Sequence, residues 1–174
     1  MSRTRKIVIM IALVIALAAV GAAWFLLADP DSAGRFMMWQ VERGQVRLFC
    51  KADHKALLEA CRELSRQVAS GELEAGSYQV GWFPERTASR FPKPILALRP
   101  REIILSEDGT VDLSMYTGWR PFGVWACPEG YDGQRPDDAR RRLLDGLWYC
   151  DNEYTRYGDA VDRALDALIE THAR

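Results

Sequence analysis

Histidine is scarce in this 174-residue chain, which has only His54 and His172, and no two of its four cysteines form a C-x-x-C pair. The first scarcity argues against histidine-based hydrolysis. His172 lies almost at the chain end, and neither histidine adjoins a G-x-S-x-G nucleophile motif. The second argues against a thioredoxin-like redox centre and against the close ligand pairs of structural zinc sites. Basic excess is lacking too, with 23 Lys and Arg against 24 Asp and Glu, so nucleic acid is not an expected partner. The densest basic cluster, Arg140-Arg141-Arg142, follows Asp137-Asp138 and reads as a solvated helix face. There are no internal repeats, and no low-complexity segment outside the apolar N-terminal run. Asparagine occurs once, at Asn152, and arginine far outnumbers lysine, a bias associated with GC-rich bacterial genomes.

Charge is missing altogether from Ile7 to Ala28, "IVIMIALVIALAAVGAAWFLLA", a run of 22 residues. About 20 helical residues cross a hydrocarbon core of roughly 30 Å, so this run predicts a transmembrane helix. Asp29-Pro30-Asp31 closes it. Arg3, Arg5 and Lys6 precede it, and the next basic residue is Arg35, which orients a short tail (1–6) to the cytoplasm. Trp24 suits the outer membrane interface. A cleaved signal peptide is the alternative, but its apolar region is usually shorter, about 7–15 residues. No cysteine follows the run closely, so a lipid-modified N-terminus is not supported. The expected location is the inner membrane, with a linker over 29–35 and an extracytoplasmic domain over 36–174. Beyond the run, 20 basic residues (23 less the three before it) face all 24 acidic ones, giving a net charge of −4.

In that domain, residues 36–50 fit a strand and a helix equally. Val46, Leu48 and Cys50 alternate, while Met38, Val41, Gln45 and Phe49 follow a helical period. Residues 54–69 predict an amphipathic helix capped by Asp53 and stopped by Gly71, with Leu57, Cys61, Leu64 and Val68 inward. Residues 71–93 are rich in glycine and proline and read as turns, and Pro94 can open a short helix over 94–98. Residues 102–116 read as a hairpin with a tight primed turn at Asp108-Gly109. "PFGVWAC" and "GLWYC" read as strands. Between them, "PDDARRRLLDG" reads as a short helix capped by Asp137 and stopped by Gly146. Residues 159–172 predict a last helix with Asp159 as cap and Val161, Leu165 and Leu168 inward. The expected fold class is α+β: one small domain with a mainly antiparallel meander sheet and two main packing helices.

The stretch Cys50 to Cys61, "CKADHKALLEAC", offers soft ligands, but His54 and Cys61 stand about 10.5 Å apart along a helix, too far to share one ion. "DPDSAG" puts Asp29, Asp31 and Gly34 at calcium-loop positions, yet no glutamate stands at the twelfth position, where one is needed. No metal or cofactor is expected. Four cysteines outside the cytoplasm favour two disulfides among Cys50, Cys61, Cys127 and Cys150. A Cys127–Cys150 bridge requires their strands to be neighbours, whereas a Cys50–Cys61 bridge is opposed by helical rise. Trp125 and Trp148 read as core. Trp119, Tyr131 and Tyr154 are the candidate contact aromatics.

No catalytic constellation stands out. The expectation is a membrane-anchored, non-enzymatic binding or accessory domain acting on another envelope protein, an immunity or inhibitor role being one form of it. A carbohydrate or cell-wall module using exposed aromatics is the alternative, and a carboxylate-based enzyme comes after that.

Overall fold

A computed structural model describes residues 3–28, 30–80, 90–115 and 122–174. Its elements are α1 (Arg3–Ala28), α2 (Pro30–Val46), a π-helical turn (Arg47–Lys51), α3 (His54–Ser70), β1 (Gly76–Gln79), α4 (Lys93–Leu98), β2 (Glu102–Leu105), β3 (Val111–Ser114), β4 (Phe122–Ala126), β5 (Ala139–Leu144), β6 (Leu147–Asp151) and α5 (Tyr154–Ala173). The chain divides into two compact units, Met1–Glu42 and Arg43–Arg174.

The first unit holds α1 and most of α2. Large aliphatic side chains of α1 are exposed along its length, from Ile7 to Val20. Among the described residues no helix is long and apolar enough to cross a membrane. The fold by itself does not establish the span expected over 7–28. α2 starts at Pro30, where a linker was expected, and decides the open reading of 36–50 in favour of helix.

The second unit is a mixed helix-and-sheet domain. Its sheet has six antiparallel strands in the order β1-β2-β3-β4-β6-β5, a meander whose last hairpin folds back so that β6 lies beside β4. Register places Ile103, Leu113, Val124 and Tyr149 side by side, and likewise Leu105, Val111, Ala126 and Leu147. Side chains alternate faces along a strand, so these two rows share one face, and all eight residues are buried. α3 packs on this face against β2 to β5 and beside α4. The Asp53 carboxylate caps α3 by accepting from the Lys55 and Ala56 amides, and Gly71 ends it in the left-handed region (φ 76). Leu57, Cys61 and Leu64 point inward as expected.

Three local expectations are corrected. Residues 139–144 form a strand, not a helix. Asp145-Gly146 (Gly146 φ 86) is a hairpin turn rather than a helix stop, and pairing with β6 overrides the local helical pattern. The β2–β3 turn is not primed. Only Gly109 (φ 82) has positive φ there, and Ser106 and Thr110 bracket a three-residue loop. The last helix begins at Tyr154 but kinks at Tyr157, whose φ of −133° is not helical, just before the expected cap Asp159. Val161 and Leu165 are buried as expected.

A buried polar chain crosses this core. Gln45 Nε2 donates to the Tyr149 hydroxyl (3.0 Å), which donates to Asp151 Oδ2 (2.7 Å), while Asp151 Oδ1 accepts from the Glu153 amide (3.0 Å). Asp151 is fully buried. A buried acceptor that loses its donor is destabilised by about 1–3 kcal/mol. Tyr149→Phe removes one hydroxyl from the middle of the chain and should lower stability by about that amount. A urea unfolding midpoint equal to that of the parent protein would show that the chain contributes nothing.

Candidate functional site

The opposite sheet face follows from the same register. One row runs Ile104, Asp112, Trp125, Trp148, Arg142. The next runs Glu102, Ser114, Gly123, Cys150, Ala139. This face is not left to solvent, because the connection 127–138 lies over it. The Tyr131 ring meets Trp125 edge-on at 5.6 Å, and its hydroxyl donates to Asp108 Oδ2 (3.1 Å). The Arg135 guanidinium stands 4.3 Å from the centre of the Trp148 ring. Trp125 is thereby only 6% exposed, as the core reading expected, while Trp148 is partly buried. Gly123 has no alternative at its position, since a Cβ there would lie 2.5 Å from the Leu113 carbonyl oxygen.

Under this cover sits Asp112. Burial pushes its carboxyl up to about 6, helped by the negative charges of Asp138 in the covering segment and Glu102 on β2. It is an acid–base group tuned toward neutrality. Among the described residues no activated thiol stands beside it. Burial first, and then the charges of Asp138 and Asp112, pushes the Cys150 thiol up. Burial pushes the Cys61 thiol up to about 12, and Cys127 is raised as well. The raised values favour the thiol form and argue against a ready thiolate nucleophile at these three positions.

The four cysteines are free. β4 and β6 are neighbours, as a Cys127–Cys150 bridge requires, but they run antiparallel. Cys150 pairs with Gly123, whereas the Cys127 amide bonds the Gly146 carbonyl, so the thiols lie at opposite ends of the pair. Cys50 is exposed and Cys61 buried. His54 Nε2 lies 2.8 Å from the Leu48 carbonyl oxygen, a contact to the preceding turn. Among the described residues no group of three His, Cys, Asp or Glu side chains is placed to hold a metal ion. Asp31 and Gly34 belong to α2, not to a calcium loop.

Of the contact aromatics, Tyr131 is engaged in closing the sheet face, Tyr154 opens α5, and Trp119 lies outside the described residues. Arg3, Arg5, Lys6 and Trp24 belong to α1.

A groove of about 340 Å³ lies between α3, the β2–β3 turn and the start of the covering segment. Arg62 and Arg66 line one wall, and Glu107, Asp108 and Glu129 the other. The Ser65 hydroxyl donates to the Gly109 carbonyl (2.5 Å), fixing the turn on α3. The Thr110 amide, the Thr110 hydroxyl and the Tyr131 hydroxyl bond Asp108 and hold its carboxyl below the usual range. The hairpin was legible in sequence, but its docking on α3 through Ser65 was not. No protein-family model, no curated protein and no solved structure matches the chain.

Asp112 makes a definite prediction. Its folded pKa of about 6 lies above the ordinary 3.8, so the native state binds the proton more tightly than the unfolded chain. Stability should therefore fall as pH rises from about 4 to about 6, by on the order of 3 kcal/mol in all. Asp112→Asn should raise stability by about 1–3 kcal/mol at pH 7.5 and leave it nearly unchanged at pH 4. Denaturant unfolding at the two pH values measures this. Equal effects at both would rule out a strained carboxylate.

Proposed function

We propose that this protein is a membrane-anchored binding or accessory domain of the bacterial envelope, with its folded unit outside the cytoplasm. The supporting observation is α1. Nine large apolar side chains, Ile7, Val8, Met10, Ile11, Leu13, Val14, Ile15, Leu17 and Val20, are each more than half exposed. At 100° per residue these positions spread over about 240° of the helix, wider than the apolar stripe of a helix that packs by one face. Transferring them from water to an apolar phase is favourable by on the order of 10–20 kcal/mol. Lipid provides that phase on every side. Arg3, Arg5 and Lys6 before the run favour a cytoplasmic tail, and Trp24 suits the outer interface.

The folded unit supports a binding role over chemistry. One face of its sheet is buried, Tyr131 closes the other over Trp125, and burial pushes the Cys61 thiol up to about 12. The groove beside α3 offers both charge signs on opposite walls, a pattern suited to a protein partner. Among the described residues, Trp125, Trp148 and Tyr131 offer no open sugar-stacking platform, because they are engaged with one another or with Arg135.

Expressed at full length in a bacterial host, the protein should stay in the membrane pellet after alkaline carbonate washing. Protease added to spheroplasts should remove the folded unit. Release by carbonate, or a folded unit shielded from external protease, would overturn the anchoring and the orientation respectively. Cross-linking in intact cells should capture a reproducible envelope protein, and the double variant Arg62→Glu, Arg66→Glu should lose it. Capture that ignores the double variant would remove the groove from the interface.

A further inference from the structure

We infer that α2 lies along the lipid surface, with Phe36 and Trp39 as its contact; this rests on the anchoring of α1 proposed above. Phe36 is 53% exposed and Trp39 46% exposed, and their ring centres stand 5.7 Å apart. Three residues apart on a helix, they share a face. Val41, Gly44 and Gln45 of the same helix are buried and lie on the roughly opposite side. Folding of the polypeptide therefore satisfies one face of α2 and leaves an aromatic pair on the other.

The nearest apolar medium selects the occupant. The uncharged run ends at Ala28, eight positions before Phe36, or roughly 12 Å of helix. The interfacial zone on each side of a bilayer is only about 5–7 Å thick, the difference between a core of about 30 Å and a whole of 40–45 Å. A helix rising straight from the membrane would carry Phe36 and Trp39 past that zone, whereas one lying flat keeps both rings in it. Pro30 opens α2, and proline starts helices but interrupts those it would sit inside, so a change of direction after α1 is built into the sequence. Tryptophan and phenylalanine are the side chains that interfacial helices insert. Arg35 and Arg43, both exposed residues, stand just before and just after the pair along the helix, and basic residues near a membrane surface are attracted to anionic headgroups.

The test uses the full chain reconstituted in phosphatidylethanolamine–phosphatidylglycerol vesicles with or without brominated acyl chains, which quench tryptophans in contact with them. Trp39→Phe and Trp24→Phe are compared with the parent. Each substitution should reduce the quenchable emission by about half, since Trp24 and Trp39 are the two tryptophans expected at the interface. Trp39 is exposed, so its replacement should leave the thermal unfolding midpoint unchanged. Quenching that falls for Trp24→Phe but not for Trp39→Phe would overturn the surface helix and leave the anchor standing. No quenching in the parent protein would remove the anchor itself.

Discussion

The antiparallel register between β4 and β6 decides most of this domain. Once Val124 faces Tyr149 and Trp125 faces Trp148, strand alternation sends each neighbour to a fixed side. Tyr149 enters the core beside α3, where it meets Gln45 and Asp151. Cys150 and Trp148 turn the other way, under the covering segment. A slip of one residue in β6 would exchange the two sets, turning Trp148 into the core and Asp151 out to the face that carries Trp125. Gly123 reinforces the register, because its missing side chain lets β4 approach the Leu113 carbonyl.

The order of elements was readable where one residue type has one use. Asp53 and Gly71 mark both ends of α3, and the alternation of Val111, Leu113 and Met115 marks β3. The same dipeptide was read unevenly. In sequence Asp108-Gly109 reads as a turn and Asp145-Gly146 as a helix end, yet both lie in hairpins. The three arginines before the second dipeptide have good helix propensity, and only the presence of β6 as a partner reverses that preference.

The candidate site was less legible, because burial on the second sheet face comes from a loop. Alternation alone assigns Asp112 to a wet face, and no pattern in residues 127–138 announces that they fold back over it. The sense of β4 and β6 was not legible either, because the helix expected between them commonly links parallel neighbours, whereas the β5–β6 hairpin makes them antiparallel. In such a pair, two cysteines at the C-terminal ends of neighbouring strands stand at opposite ends of the sheet. The antiparallel topology thus separates Cys127 from Cys150.

β5 closes one margin of the sheet, and its form bears on how copies of the molecule meet in crowded surroundings. It carries Arg140, Arg141 and Arg142 in succession, and its pairing with β6 breaks at two irregularities, between Ala139 and Arg141 and between Arg142 and Leu144. Arg141 is drawn toward α5 by Asp166 (2.9 Å). A flat, uncharged margin would template edge-to-edge addition of another strand, whereas a bent and cationic one repels its own copy. The irregular pairing and the arginines of one six-residue strand thus make the β5 margin a poor template for the addition of another strand.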